Sequence, residues 1–444
     1  FFLVPLYTYV LTASEYGIVD LVVTVGTVAI PILTLNISEA VMRFALDKDA
    51  DKEKITQIGT RILLIGMLVG LLMFPVCGFF NKISQYSAYI YFYVISLAAS
   101  QLYLCDLRGK ELLIYYAIGN VLNTFFIAVL NILFLLVLKE GIEGYLKAYI
   151  IANVLTAIYA IIAGKGYKSF YSLRIDKKLL LQMVKYSIVL IPNSFMWWIM
   201  NSSDRIMVSG MVSVAANGIY AVSYKLPTLV STLTTIFNQA WSYSAIREEG
   251  TEDECEYNNK VFKALIGMAM LIGIGLLTFA KPFLSIYVSK EYYAAWKYMP
   301  FLTVGCVYLT MASFMATSYT VHKDSFGYLF SGMFGAIFNV VMNFMLIPLI
   351  GVYGAAIATC ISYILVFVFR LFHTRKYIQY NIYNKEFIVG SAILVLSACL
   401  MFIGNRIGFI LQLILLAVTV YLFSDIWLPI IRKMVKFKGR QGRQ

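Results

Sequence analysis

Long apolar runs, each about the length of a membrane span, dominate this sequence of 444 residues. A helix needs about 20 predominantly apolar residues to cross the hydrocarbon core of a bilayer. The runs lack the alternation of polar and apolar residues that a membrane barrel requires, so they predict helices. Hydrophobic residues make up 61% of the chain and charged residues only 13%, a balance that excludes a soluble globular protein of this length. The sequence therefore predicts an all-α integral membrane protein.

Fourteen runs qualify as membrane spans, and the polar connections between them are short. Because the sequence begins at Phe1 within an apolar run, we expect the first span to be incomplete. The predicted spans cover residues 1–11, 17–40, 57–80, 88–107, 111–138, 144–164, 179–203, 217–245, 261–280, 298–321, 326–349, 351–371, 387–404 and 408–428.

Basic residues are distributed unevenly among the loops, and this asymmetry predicts the orientation of the chain. With the N-terminus in the cytoplasm, 27 of the 36 Lys and Arg residues lie on the cytoplasmic side, eight lie on the opposite side, and Lys225 lies within a span. The net charge of +13 is therefore attributed to topology rather than to nucleic-acid binding. Both termini are predicted to be cytoplasmic.

Three short patterns recur about 200 residues apart and indicate an internal repeat. Gly-Ile stands at 17 and 218, Leu-Ile-Gly-Met at 64 and 265, and Gly-x-x-Gly at 141 and 351. Six predicted spans separate the copies, so both copies have the same orientation and are related by a pseudo-twofold axis along the membrane normal. Transporters with such repeats bind their substrate between the two halves. The predicted organisation is an N-lobe of six spans (1–164), a cytoplasmic linker (165–178), a C-lobe of six spans (179–371), two further spans (372–428) and a basic cytoplasmic tail (429–444).

Several motifs resemble those of the bacterial Wzx-type polysaccharide flippases. They are Glu15-Tyr16-Gly17 entering the second span, Arg43-Phe44 leaving it, and Ser203-Asp204-Arg205 followed by Gly218-Ile219-Tyr220 and Lys225-Leu226-Pro227. The Lys-Leu-Pro helix is also similar to one in the lipid II flippase, and both families belong to the superfamily of the MATE multidrug exporters.

The resemblance implies a flippase that moves an undecaprenyl-diphosphate-linked oligosaccharide across the bacterial inner membrane for O-antigen or capsule assembly. It implies alternating access of two lobes around a central cavity and a lipid groove at the last two helices. The implied partners are the lipid-linked oligosaccharide, membrane lipids and the polysaccharide polymerase machinery.

Ionisable residues at membrane depth are the candidate substrate-binding residues, because inserting such a charge costs about 3 kcal/mol. Lys225 is expected eight residues into its span, where it would face a diphosphate in the cavity. Alternatively, Lys225 snorkels to the interface or pairs with Asp20 or Asp204. Pro227 removes a backbone donor, so it would either kink the same helix or be tolerated there as a membrane proline.

Six further candidates for the cavity are charged residues within spans or near their ends, namely Asp20, Glu39, Arg43, Arg61, Asp204 and Arg205. Glu39 and Arg43 are four residues apart at the end of the second span and are expected to pair. Together with Arg61 they would form an inner mouth that meets the diphosphate, or they would serve as topology anchors. Asp204 and Arg205 are adjacent, so they would point to different faces of a helix, with one of them facing the cavity.

No motif in the sequence predicts catalysis, a cofactor or a metal site. The chain has no Gly-rich phosphate loop, and its two histidines, His322 and His373, are far apart. The coupling ion, H⁺ or Na⁺, is left open. Two alternatives to the flippase are retained: a MATE-like cation-coupled drug antiporter, whose site would be acidic, and a membrane glycosyltransferase or polymerase, which would carry a large outward loop.

Overall fold

The computed structural model describes residues 2–47, 50–72, 84–170, 176–248, 253–322, 324–404, 406–426 and 428. Within these ranges the protein forms sixteen α-helices and no strand. Ten of the described helical segments are long and apolar enough to cross a membrane. The all-α, multi-pass prediction is therefore confirmed.

The helices follow the predicted spans closely, with some displacement of their ends. They are α1 (Val4–Val10), α2 (Ala13–Leu33), α3 (Ile37–Ala45), α4 (Lys52–Leu72), α5 (Ser87–Gly109), α6 (Leu113–Asn131), α7 (Gly141–Ala163), α8 (Lys177–Met211), α9 (Val214–Ser223), α10 (Thr228–Glu248), α11 (Glu254–Tyr287), α12 (Met299–Val321), α13 (Ser325–Ile350), α14 (Val352–His373), α15 (Lys385–Leu400) and α16 (Arg406–Leu422).

The start of α2 shows how the local sequence fixes a helix end. Thr12 accepts a hydrogen bond from the backbone N–H of Glu15, and the Glu15 carboxylate accepts one from the backbone N–H of Thr12. This reciprocal pair satisfies two backbone donors that would otherwise be unpaired at a helix start. The Glu15-Tyr16-Gly17 motif therefore lies in the first turns of α2.

Two predicted spans are interrupted, and each prediction of a continuous span was wrong. The span 17–40 ends as a helix at Leu33, and α3 begins only after Leu35 and Asn36, which adopt positive φ angles of 51° and 54°. The span 217–245 is divided by a turn over residues 224–227. Pro227 lacks the N–H that a continuous helix needs, so a complete break, and not only a kink, separates α9 from α10.

The chain divides into two compact units, Phe1–Gly218 and Ile219–Gln444. In the first unit, α5 packs against α3 and α7, while α2 packs against α5 and α8. In the second unit, α12 is almost completely buried and packs against α10, α11 and α14. The predicted lobes and linker stay predictions, and the basic tail from residue 429 onward lies outside the described residues.

Matched glycines of the proposed repeat occupy equivalent junctions in the two units. Gly141 and Gly351 both have positive φ angles, 58° and 62°, in the turn that enters α7 and α14 respectively. Such angles suit glycine because it has no Cβ. Three residues later, a Cβ on Gly354 would lie only 2.4 Å from the Leu346 backbone, and one on Gly144 would lie 3.2 Å from the Phe134 carbonyl oxygen. The Gly-x-x-Gly pattern therefore forms the same kind of turn before α7 and before α14.

Candidate functional site

A buried ion pair in the first unit joins two residues that the sequence analysis named separately. The Nη1 atom of Arg205 on α8 lies 2.6 Å from Oδ1 of Asp20 on α2. The Asp20 side chain is 6% exposed and that of Arg205 is 18% exposed. An ionisable residue within a span is costly unless it meets a partner or a cavity. The pair therefore neutralises two largely buried charges and links α2 to α8.

Asn217 completes this cluster from the first turn of α9. Its Nδ2 atom donates to Oδ2 of Asp20 and to the backbone carbonyl of Gly17, both at 3.2 Å. Asn217 is fully buried, and its Oδ1 atom has no hydrogen-bond partner among the described atoms. We call Asp20, Arg205 and Asn217 the polar cluster. Asn217 is not among the residues predicted from the sequence, although its position directly before Gly218 of the Gly-Ile repeat was a usable signal.

Close backbone contact between α2 and the start of α9 brings Asn217 to Asp20. A Cβ on Gly17 would lie 2.0 Å from the Val214 carbonyl oxygen, and one on Gly218 would lie 2.0 Å from the Ala13 carbonyl oxygen. The contact is reciprocal, because each glycine meets the residue four positions before the other. Only glycine allows two helices to approach so closely at both positions, as small-residue packing in membranes requires.

Asp204, the neighbour of Arg205, is buried at 1% exposure. Its Oδ1 atom accepts a hydrogen bond from the backbone N–H of Arg205 at 2.9 Å. The two side chains leave α8 in different directions, as adjacent helix positions must. Arg205, and not Asp204, is the member of this pair that contacts Asp20.

Lys225 lies in the turn between α9 and α10 and not within a helix. Its predicted depth in the membrane stays a prediction. The turn is held by short-range bonds, such as that from the Lys225 N–H to the Val222 carbonyl at 3.0 Å. Its neighbours Tyr224 and Leu226 are buried, while Lys225 is half-buried. Since Lys225 belongs to the second unit, a shared cavity with the polar cluster stays a prediction.

The predicted inner mouth has a different pairing from the one expected. Arg43 at the end of α3 contacts Asp47 at 2.7 Å, and not Glu39, and both members of this pair are more than half exposed. Glu39 is exposed in the first turn of α3. Arg61 is half-buried on α4. The observed partner, Asp47, lies four residues after Arg43 and just beyond the end of α3.

Arg370 on α14 is a fully buried cation that the sequence analysis did not single out. Its Nε donates to the Ser331 hydroxyl at 3.0 Å, and its Nη1 donates to the Ala312 carbonyl at 2.8 Å. The guanidinium also lies 5.5 Å from the ring of Tyr328. These contacts tie α12, α13 and α14 together. Arg370 was counted with the basic residues of the cytoplasmic side, because the hydropathy of a sequence does not show which residues neighbouring helices bury.

Asp106, near the end of α5, is also buried and is absent from the predicted site residues. Lys110 pairs with it at 2.6 Å and donates a further bond of 2.8 Å to the Gly164 carbonyl. The Thr56 hydroxyl donates to the second carboxylate oxygen. The arrangement fastens α4, α5 and the end of α7, which is a structural role.

A pocket of about 490 Å³ lies between α11, α15 and α16 in the second unit. Its wall is mainly apolar, with Lys281 and Arg406 as its charged members. The Lys281 Nζ atom lies 3.9 Å from the centre of the Trp296 ring. Within the described ranges, no group of three or more His, Cys, Asp or Glu residues is placed to hold a metal ion.

Solved transporter structures share this fold. A structure of the lipid II flippase MurJ in an inward closed conformation matches 98% of this chain and 95% of its own, with a TM-score of 0.57 and 14% identity. An inward-facing multidrug resistance MATE transporter of the MOP superfamily matches 83% of this chain and 92% of its own, with a TM-score of 0.67 and 15% identity. At these identities the matches establish the fold alone.

A relative and a family model also match the sequence. An uncharacterized membrane protein of Methanocaldococcus jannaschii is 25% identical over 215 residues, which are 47% of this chain and 41% of that protein. The chain thus spans less than half the length of this relative. The model of the family described as polysaccharide biosynthesis protein matches residues 1–243, which is more than half of the chain. The chain therefore belongs to this polysaccharide biosynthesis protein family.

Proposed function

We propose that this protein is a flippase that carries an undecaprenyl-diphosphate-linked oligosaccharide repeat unit across the bacterial inner membrane for surface polysaccharide assembly. The observation that carries the proposal is the family match over residues 1–243. The fold shared with the lipid II flippase along 98% of the chain supports it, since that protein is named for the same kind of cargo. Membership of this family and fold favours a transporter over a glycosyltransferase or polymerase.

The polar cluster suggests how a diphosphate would be recognised. A guanidinium binds phosphate oxygens through two parallel N–H donors, and charge-assisted bonds of this kind are about twice as strong as neutral ones. Arg205 is held by the Asp20 carboxylate at 2.6 Å. In the proposed cycle the cargo diphosphate replaces Asp20 as the partner of Arg205. When the cargo is released, Arg205 pairs with Asp20 again. Lys225 is proposed as a further cation that contacts the cargo.

The exchange also suggests a route for coupling. When Arg205 turns to the diphosphate, Asp20 loses its cation at membrane depth and keeps the amide of Asn217. A carboxylate left in that position without its partner would be stabilised by a nearby coupling cation. We propose that Asp20 is the site at which a coupling ion binds.

The pocket between α11, α15 and α16 suits the lipid part of the cargo. Its apolar wall would take an isoprenyl chain, and Lys281 and Arg406 would face the charged end. This assignment agrees with the lipid groove that the sequence resemblance implies at the last two helices.

A complementation experiment tests the function. A bacterial strain that lacks its own flippase but still makes the lipid-linked repeat unit would express this chain, and surface polysaccharide would be measured by immunoblot. We expect polysaccharide in the wild type and none with Arg205→Leu at equal membrane abundance. Absence of polysaccharide in the wild type, with lipid-linked precursor present in the cells, would refute the proposal.

A MATE-like drug antiporter is the second candidate, because the TM-score to the inward-facing MATE transporter, 0.67, exceeds that to the lipid II flippase, 0.57. The two candidates differ in the charge of the cargo. Expression in a drug-sensitive strain would raise resistance to cationic dyes if the chain were such an exporter. Unchanged resistance to the dyes, together with restored surface polysaccharide, would favour the flippase.

A further inference from the structure

A concave apolar groove of about 680 Å³ lies in the first unit. It falls within the range of about 300–1,000 Å³ typical of small-molecule sites. Its walls come from α2 and the turn after it, α4 and α8. Nine of its ten lining residues are apolar, namely Ile32, Leu33, Leu35, Ile62, Ile65, Val69, Leu180, Leu181 and Val184, and the tenth is Lys177.

The break after α2 explains why the groove exists. The chain leaves the helical path at Leu35, whose φ is 51°, so the apolar stripe of α2 ends abruptly beside α4. Helices α2 and α4 touch at Gly66, where a Cβ would lie 2.4 Å from the Leu33 carbonyl oxygen. The start of α8 closes the third side.

Lys177 gives the groove a charged end. It is the first residue of α8 and is exposed, whereas the groove continues along α8 through Leu180, Leu181 and Val184. The preceding residue, Asp176, caps the helix, because its Oδ1 atom accepts hydrogen bonds from the backbone N–H groups of Lys178 and Leu179. No described carboxylate is paired with Lys177, and α8 has no acidic residue in its first turn.

We propose that this groove is a binding site for one anionic glycerophospholipid, with an acyl chain along α4 and α8 and the phosphodiester at Lys177. The single lining cation matches the single negative charge of a phosphodiester. A diphosphate would call for more cations than the groove offers. The exposed apolar side chains in the wall, such as Ile65 at 59% and Leu181 at 70%, make a continuous surface for a hydrocarbon chain.

The site goes beyond the proposed transport function, because it would hold a resident membrane lipid and not the cargo. Its position beside α8 gives it a physical consequence. The same helix carries Arg205 further along, so a lipid that fixes the first turns of α8 would stabilise the helix that presents the polar cluster.

Lipid titration of the purified full chain tests the site. The protein in detergent would be titrated with palmitoyl-oleoyl phosphatidylglycerol, and bound lipid would be counted by native mass spectrometry. A lysine near a membrane surface contributes about 1 kcal/mol to the binding of an anionic lipid, which corresponds to about five-fold in the dissociation constant. We expect Lys177→Gln to weaken the tightest phosphatidylglycerol site about five-fold. The adjacent Lys178→Gln is the matched control and should leave that site unchanged, since Lys178 does not line the groove.

A steric variant tests the hydrocarbon part of the site. Ile65→Trp would fill the groove and remove the tight site while leaving the monodisperse size-exclusion profile intact. Val69→Phe serves the same purpose if the tryptophan variant is not monodisperse. Equal affinities in Lys177→Gln and Lys178→Gln, or full binding in both groove-filled variants, would overturn the proposal. Tighter binding of undecaprenyl phosphate than of phosphatidylglycerol at this site would also overturn it. Because the titration contains no oligosaccharide cargo, its outcome is independent of whether the chain is a flippase.

Discussion

Neutralising Arg205 tests whether the buried ion pair holds α8 to α2. The Arg205 Nη1 and Asp20 Oδ1 atoms are 2.6 Å apart, and the Asp20 side chain is only 6% exposed. Removing one member of such a pair leaves the other charge buried without compensation, at a cost of about 3–5 kcal/mol. We therefore expect Arg205→Gln to lower the free energy of unfolding by about 3 kcal/mol.

The assay is equilibrium unfolding of the purified protein in mixed micelles with increasing denaturing detergent. Arg43→Gln is the matched control, because Arg43 contacts Asp47 at a nearly equal distance, 2.7 Å, but both side chains are more than half exposed. Exposed pairs contribute little. We expect no measurable change in stability from this control.

A double-mutant cycle distinguishes a direct interaction from separate damage at two sites. Asp20→Asn removes the negative charge and keeps the size of the side chain. If the pair is coupled as its geometry indicates, the double variant Asp20→Asn with Arg205→Gln should be about 2 kcal/mol more stable than the sum of the two single effects predicts. Additive effects, or a loss in Arg205→Gln no larger than in Arg43→Gln, would refute the reasoning.

Three further predictions follow from other contacts. Gly17→Ala should destabilise the protein by about 2 kcal/mol or more in the same unfolding assay, because the new Cβ would lie 2.0 Å from a backbone oxygen. Gly210→Ala is the control and should be tolerated, because no atom lies within 4 Å of the position of its Cβ. Equal losses of stability in the two variants would contradict the close α2–α9 contact. Bonds from the Gly327 N–H, Lys376 and Tyr377 lower the pKa of Asp324 to about 2, so its contribution to stability is complete above about pH 4 and is lost as the pH falls through 2. An unchanged acid-unfolding profile in Asp324→Asn would contradict that assignment. Lys225→Arg should retain polysaccharide export and Lys225→Glu should abolish it at normal protein level, and full export by Lys225→Glu would exclude a cargo-binding cation there.

Hydropathy and glycine spacing predicted much of this fold because both report local physics. An apolar run of about 20 residues has few alternatives to a membrane helix. The matched Gly141 and Gly351 were visible as a repeat and adopt nearly the same positive φ, since each starts a helix after a tight turn. Pro227 signalled a disturbance in its helix, but the sequence did not show that the disturbance is a complete break.

Partners that lie far apart in the sequence could not be predicted in the same way. Asp20 and Arg205 were both selected as candidates, yet 185 residues separate them and nothing local assigns one to the other. Arg370 was counted among the basic loop residues, although α12 and α13 bury it completely. Glu39 was assigned to Arg43 by helical spacing, but Asp47 satisfies the same spacing on the other side and forms the contact.

The most direct test of the flippase account is transport by the pure protein. Liposomes would contain the full chain and a fluorescent undecaprenyl-diphosphate oligosaccharide in both leaflets, and a membrane-impermeant quencher would be added outside. The account predicts that the wild-type protein exposes the inner-leaflet lipid to the quencher, while Arg205→Leu protects it as protein-free liposomes do. An inner-leaflet fraction that stays protected in wild-type liposomes, with the protein folded and correctly inserted, would contradict the central claim.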